Sequence, residues 1–329
     1  MRFLRVLLVL VLLATIGGGY VLFLLSRPYR HFETRAFVDF PKGTSTEEMA
    51  ALLQGAGVVQ HSWMFLLARA LSPGSKLQAG EYEFTKPAST FQVFKRIARG
   101  DIFYYELLVP EGNNIFDISS SVDRLGIFTG QEFLKVARNP RMIRDLDPLA
   151  PTLEGYLFPN TYRLSRHTTP EQLCRLMTNK FRETWKELKT AANVHATVTL
   201  ASLVEKEARL PQERPVIASA FRNRLKIGMK LDCDPTTVYA ALLEGRYRGT
   251  IYRSDLESAN PYNTYTKAGL PPGPIANPSR SSLKAVLEPA DTNYLYFVAK
   301  GDGSGGHRFS DTLAAHNAAT AEFRHSANR

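Results

Sequence analysis

The segment Thr197–Leu210, TVTLASLVEKEARL, places a carboxylic acid in the apolar stripe of a helix. At about 100° per residue, Leu200, Leu203, Val204 and Glu207 follow the 0, 3, 4, 7 spacing of one helical face, while Glu205 points roughly 160° away from Glu207. Of the two neighbouring glutamates, Glu207 is therefore expected to face inward. Apolar neighbours disfavour a charged carboxylate and raise its pKa, which makes Glu207 a candidate general acid. The competing reading of Glu-Lys-Glu is a solvated turn near a helix end, because charged triplets mostly lie at surfaces.

On the N-terminal side, Val6–Leu25 is a run of twenty uncharged residues, mostly Leu and Val, long enough to cross the hydrocarbon core as a helix. It reads as a membrane anchor. A cleavable signal peptide is the competitor, but no clear A-x-A site ends the run. Arg27, Arg30 and Arg35 flank it as densely as Arg2 and Arg5, so the positive-inside rule leaves orientation open. The 329 residues carry 44% hydrophobic and 22% charged residues, as folded proteins do, with a net charge of +10. That charge asks for an anionic partner such as an acidic membrane surface or an acidic polymer. The basic residues are scattered, which argues against nucleic acid. Cys174 and Cys233 belong to no C-x-x-C pair, excluding a thiolate-rich metal site and a disulfide framework; a single bridge between them stays open. His307 and His316 lack a third ligand at metal spacing, and no phosphate-cradling glycine loop occurs, so neither a metal nor a cofactor is expected.

Between the anchor and the glutamate helix, Arg35–Pro41 and Ala79–Phe84 read as strands, with helices over Glu47–Gly55 and Trp63–Leu71 between them and a further helix over Thr90–Gly100. By order and size this β-α-α-β unit resembles a LysM-like module, a class that binds glycans; a plain spacer is the alternative. Ile102–Pro110 is a buried strand by composition. Helices follow near Ile115–Leu125, Gln131–Ala137 and Pro170–Leu188, the last with Leu173, Leu176, Met177 and Phe181 inward. The domains expected are 1–27, cytoplasmic tip and transmembrane anchor; 28–101, LysM-like module; and 102–329, a larger mixed domain. The fold class is α+β.

Beyond the glutamate helix, Val216–Leu225 is a helix with Phe221 and Leu225 inward. From Asp232 to Pro278 the composition turns to Pro, Gly, Asn and Tyr, which predicts rigid loops holding polar side chains in place. Such loops suit a sugar, since aromatic faces meet pyranose CH groups and Asn amides pair with hydroxyls; purely structural loops are the alternative. Tyr294–Ala299 is the clearest strand, and His307–Ser310 its hairpin partner, before a last helix over Thr312–Arg324.

The ordered set VEKEA (Val204–Ala208), FRNRL (Phe221–Leu225), DPTTVY (Asp234–Tyr239), PYNTY (Pro261–Tyr265), GLPPGPI (Gly269–Ile275) and YLYFV (Tyr294–Val298), with EGYLFPNTY at Glu154–Tyr162, resembles the YceG-like, or MltG, family of endolytic murein transglycosylases. The resemblance covers about Glu154–Asn317; the earlier part matches in layout. It implies a bacterial inner-membrane enzyme, single-pass, with its catalytic domain in the periplasm. Its substrate would be nascent peptidoglycan glycan strands, cut internally between N-acetylmuramic acid and N-acetylglucosamine to leave 1,6-anhydro ends, near peptidoglycan synthases as possible partners. The family's acid/base maps onto Glu207. Tyr262, Asn263, Thr264, Tyr265, Asn223 and Thr236 are candidates for holding sugars, with Asp234 and Glu205 in supporting roles. Cys233 departs from the small polar residue expected there, and no disturbance of the chemistry is expected from it. Two rivals remain: a hydrolase pairing Glu207 with Asp234 or Asp255, and a non-catalytic glycan-binding scaffold.

Overall fold

The structure, a computed structural model, describes residues 2–327, so Met1, Asn328 and Arg329, at the ends of the expected first and last domains, lie outside the described residues. Two compact units form, Met1–Tyr105 and Glu106–Arg329.

In the first unit, α1 (Arg2–Ser26) is one continuous apolar helix with a mean hydropathy of 2.5, long enough to cross a membrane. Its last apolar residue, Leu25, is fully buried, and α1 packs there against α4 (Thr90–Arg99). Strands β1 (Ala36–Phe40) and β2 (Gly80–Phe84) pair antiparallel with Val38 opposite Tyr82, and β1 alternates its burial as a half-covered strand does. Helices α2 (Thr46–Gly55) and α3 (Ser62–Ala70) lie between them in sequence. Capping boxes start α2 at Ser45 and Glu48 and α4 at Ser89 and Gln92, each cap contributing about 1 kcal/mol. Phe40, Leu53, Phe65, Val93 and Ile97 close the core.

The second unit starts within β3 (Tyr105–Val109), which is paired with β4 (Asn160–Leu164). The strand expected over Ile102–Pro110 as a buried one is shorter and two-sided: Leu108 is 63% exposed, because only one face of this two-stranded sheet is covered. Between the two strands lie α5 (Ile115–Leu125) and α6 (Gly130–Ala137). Helix α7 (Pro170–Glu187) buries Leu173, Cys174, Met177 and Phe181; Leu176, expected inward, is turned to solvent because Cys174 takes the inner position.

Helix α8 (Val194–Glu207) is covered on all sides, with every residue from Thr197 to Val204 buried. It packs against α9 (Arg214–Lys226), α10 (Asp234–Leu243) and α12 (Arg280–Leu287). Burial of Leu203, Val204 and Phe221 contributes roughly 2 kcal/mol each. Helix α10 replaces expected loop, since Pro235 occupies its first turn, where a missing N–H costs nothing. Helix α11 (Arg253–Leu256) is a single turn. The hairpin β5 (Tyr296–Ala299) and β6 (His307–Ser310), followed by α13 (Leu313–Ala327), completes the mixed α+β fold.

The proline-rich stretch expected as an exposed sugar platform is mostly buried from Pro271 to Ser279, where it works as a strut. Asn277 donates to Glu154 Oε1 (3.0 Å) and to the Asn113 carbonyl (2.8 Å), and accepts from the Leu157 N–H (2.9 Å). Gly155, at φ +87°, lies so close beneath it that an added Cβ would come within 2.4 Å of Pro274.

Candidate active site

Glu207 closes α8 and stands half-buried in the wall of a cleft of about 980 Å3, facing Asp234, Tyr265, His307 and Asn317. The cleft is bounded by the C-terminal end of α8, the start of α10, the β5–β6 hairpin and α13. Glu207 Oε1 accepts a hydrogen bond from the Cys233 thiol at 3.1 Å. Burial pushes the Glu207 carboxyl above the usual carboxylate range. Asp234 pushes in the same direction, and the Cys233 donor, His307 and Arg224 oppose it. A carboxyl whose protonated form is favoured in this way, on a polar cleft, can protonate a leaving-group oxygen and afterwards accept a proton as carboxylate.

Two groups on the cleft wall are braced from behind. His307 pairs through Nδ1 with Glu213 Oε2 (2.8 Å), and its N–H donates to Glu213 Oε1 (2.9 Å). The Arg224 guanidinium donates to the carbonyls of Leu295 (2.5 Å), Leu231 (2.8 Å) and Lys230 (3.1 Å), tying β5 to the segment before α10.

The YceG-like family profile matches residues 38–322. The chain belongs to the YceG-like family. It is 33% identical over 336 residues, 95% of this chain and 92% of the relative, to a Bacillus subtilis (strain 168) protein named endolytic murein transglycosylase. A Streptococcus pneumoniae serotype 2 protein of the same name is 30% identical over 299 residues, 80% of this chain and 54% of the relative, so the chain spans about half the length of that protein. The crystal structure of a yceG-like protein from Listeria monocytogenes matches with a TM-score of 0.55 at 31% identity, covering 87% of this chain and 99% of that one.

In this YceG-like chain, Glu207, Asp234 and Tyr265 come together on the cleft, the Tyr265 hydroxyl donating to Asp234 Oδ1 at 2.6 Å. The other sequence candidates are engaged elsewhere. Glu205, expected on the outer face, has a side chain only 5% exposed, because α8 is surrounded; it accepts from the Ser279 N–H (2.9 Å) and hydroxyl (2.5 Å) and from Arg214 (3.1 Å). Asn223 spends its amide on the carbonyls of Thr292 (2.7 Å) and Tyr294 (3.1 Å). Asn263 is fully buried and donates to the carbonyls of Leu256 (3.0 Å) and Ser258 (2.8 Å). Thr236 and Thr264 are buried with their hydroxyls 2.9 Å apart, and the Tyr262 ring packs on Tyr239 at 5.1 Å between centroids. Asp255, the other partner considered for a hydrolase, is 4% exposed and bound to Arg246 and the Tyr252 N–H.

Three features of the site were not anticipated from the sequence. Cys233, expected to be indifferent to the chemistry, is a buried free thiol that touches the candidate acid. Arg224, expected merely between two inward apolar residues, is 8% exposed and braces the cleft. His307 and His316 both line it. For His307 the signal was available: it heads the alternating segment His307–Ser310 opposite the clearest strand.

Proposed function

We propose that this chain is a membrane-anchored endolytic lytic transglycosylase acting on peptidoglycan glycan strands, with Glu207 as its acid and base. The observation that carries the reading is the raised carboxyl of Glu207 on an open cleft, in a chain whose relatives are named endolytic murein transglycosylases. The protonated Glu207 carboxyl delivers its proton to the oxygen joining N-acetylmuramic acid to N-acetylglucosamine, and the C1–O bond breaks. Charge builds at C1, where the 2-acetamido oxygen of the muramyl residue stabilises it. Glu207, now a carboxylate, takes the proton from the C6 hydroxyl, and O6 closes on C1. No water enters, and the cut strand ends in a 1,6-anhydro sugar, which terminates elongation.

Asp234 and Tyr265, bonded to each other beside Glu207, line the cleft where the sugars would lie. Residues 102–329 would form the catalytic domain and 28–101 a LysM-like module; the antiparallel β1–β2 pair enclosing α2 and α3 in sequence supports the latter. The apolar α1 fits a single-pass anchor, with the rest of the chain in the periplasm near peptidoglycan synthases.

The test is mass spectrometry of products after incubating the full chain in detergent with uncrosslinked glycan strands. Internal fragments ending in 1,6-anhydro-N-acetylmuramic acid are expected, and Glu207→Gln should form them at least about a hundredfold more slowly. Reducing ends would replace this reading with hydrolysis, and intact strands bound to the protein would replace it with a scaffold.

A further inference from the structure

Cys233 occupies a position built to hold its sulfur still. The residue is 1% exposed within the cluster formed by Leu203, Val204, Phe221 and Tyr239. Its N–H donates to Thr264 Oγ1 (3.0 Å), and its carbonyl accepts from the Thr236 hydroxyl (2.6 Å) and N–H (3.0 Å). The preceding residue, Asp232, sits at φ +45°, a left-handed conformation that non-glycine residues adopt at a cost of about 1 kcal/mol or more. The buried threonines and the strained turn converge on one result, a thiol 3.1 Å from Glu207 Oε1.

We propose that Cys233 is a positioning residue for Glu207, its thiol fixing Oε1 so that Oε2 is the oxygen that gives and takes the proton. The inference rests on the reading of Glu207 as acid and base. Burial pushes the Cys233 thiol well above its ordinary pKa, so it keeps its hydrogen whether Glu207 is neutral or ionised. A donor that persists through both states holds the carboxyl in one orientation across the two proton transfers. It also favours the ionised glutamate, since a hydrogen bond to a carboxylate is stronger than one to a carboxylic acid.

Other charges face the same carboxyl from the surrounding elements. Arg224 lies on α9, Asp234 on α10 and His307 on β6, with Asp232, Lys300 and His316 further round the cleft. Lys206 and Arg209 flank Glu207 along the chain. A substitution at Cys233 removes none of these charges, so the serine control separates the loss of the donor from any shift of its neighbours Asp232 and Asp234.

The experiment compares Cys233→Ala, Cys233→Val and Cys233→Ser in the full chain. Alanine and valine lack the donor, valine retaining apolar volume, whereas serine keeps it. Glu207 must be protonated to begin the reaction, so activity falls as pH rises through its pKa, and losing a donor to the ionised form raises that pKa. Because the carboxyl is no longer held in one orientation, kcat in the alanine and valine variants should fall about tenfold with little change in KM. The alkaline limb of the kcat profile should move to higher pH by about half a unit. Serine should restore both. The Glu207 carboxyl should be titrated in parallel by 13C NMR, with the assignment made by loss of its signal in Glu207→Gln. This arm needs no substrate, so it stands even if the transglycosylase reading fails on its products. An unchanged titration midpoint in the alanine and valine variants overturns the proposal, as does an unchanged kcat, or a folded serine variant as impaired as the other two.

Discussion

Glu205 and Glu154 show how differently two buried carboxylates can behave within one unit. Burial alone would push Glu205 up, but the hydrogen bonds from Ser279 and the Arg214 charge outweigh it and hold the pKa below the ordinary value. Its contribution to stability is present above the unfolded pKa near 4.3 and is lost as pH falls through the folded one. Glu205→Ala leaves the buried Arg214 with only the more distant and half-exposed Glu111 carboxylate, at 3.9 Å, and should cost about 3 kcal/mol in urea unfolding at pH 7, a difference that narrows below about pH 4. A cost under about 1 kcal/mol would show that solvent replaces the lost partner. Glu154 has the opposite sign. Burial pushes it up to about 8 despite the hydrogen bond from the Ile115 N–H, so the folded state holds a proton that the unfolded state has released. That contribution is complete below the unfolded pKa and lost as pH rises toward 8. Over this window the stability of the wild type should fall relative to Glu154→Gln, and parallel profiles would rule Glu154 out as the cause. Residue type alone did not separate these roles. The helical stripe selected Glu207, yet its companion argument, that Glu205 faces out, failed because α8 is covered all round. Asn263 illustrates the other limit: an amide suited to sugar hydroxyls is equally suited to the carbonyls of its own loop, and only the fold decides between them.

Among the elements, the cleft depends on how β5 is tied to the helices behind it. Arg224 reaches three carbonyls from α9 with one planar group, which a lysine ammonium on a flexible stem cannot reproduce. Arg224→Lys should lower the unfolding free energy by about 2 kcal/mol and reduce glycan-strand cleavage, and thermal melts beside product assays check both. A lysine variant with wild-type stability would mean that the carbonyls find water instead. Helices carrying their own signals were legible in advance: α2 and α4 begin at sequence-encoded capping boxes, and α4 ends at Gly100, in the left-handed region at φ +73°. Helices α10 and α12 were hidden because prolines and serines, which also mark loops, here occupy first turns and caps. The strut from Pro271 to Ser279 was hidden for a related reason. Its backbone groups are satisfied by side chains distant in sequence, such as the Ser202 hydroxyl that accepts from the Ile275 N–H at 3.0 Å.

For the molecule as a whole, the open question of the sequence is whether its apolar N-terminus stays attached, and the packing of the first unit bears on it. A helix of 25 residues is about 37 Å long, more than the roughly 30 Å of hydrocarbon it would cross. Its residues up to Phe23 are almost all exposed, as lipid contact requires, whereas Leu25 is fully buried in the folded unit and Tyr29 bridges to Ala88. The residues after the helix, Arg27, Pro28 and Arg30, are exposed, and the junction is tied to the folded unit through Leu25 and the Tyr29–Ala88 bridge. Cleavage there would remove Leu25 and leave a cavity against α4, at a cost of about 2 to 5 kcal/mol. The protein isolated from its native membrane should therefore have an intact mass that includes residues up to Ser26 and resist extraction by alkaline carbonate. Leu25→Ala should lower the stability of the first unit by the cavity cost while leaving membrane retention unchanged. A mature N-terminus between residues 17 and 30 would identify a processed leader instead, and the net positive charge left after loss of Arg2 and Arg5 would then have to hold the protein to anionic lipid or wall polymer by itself.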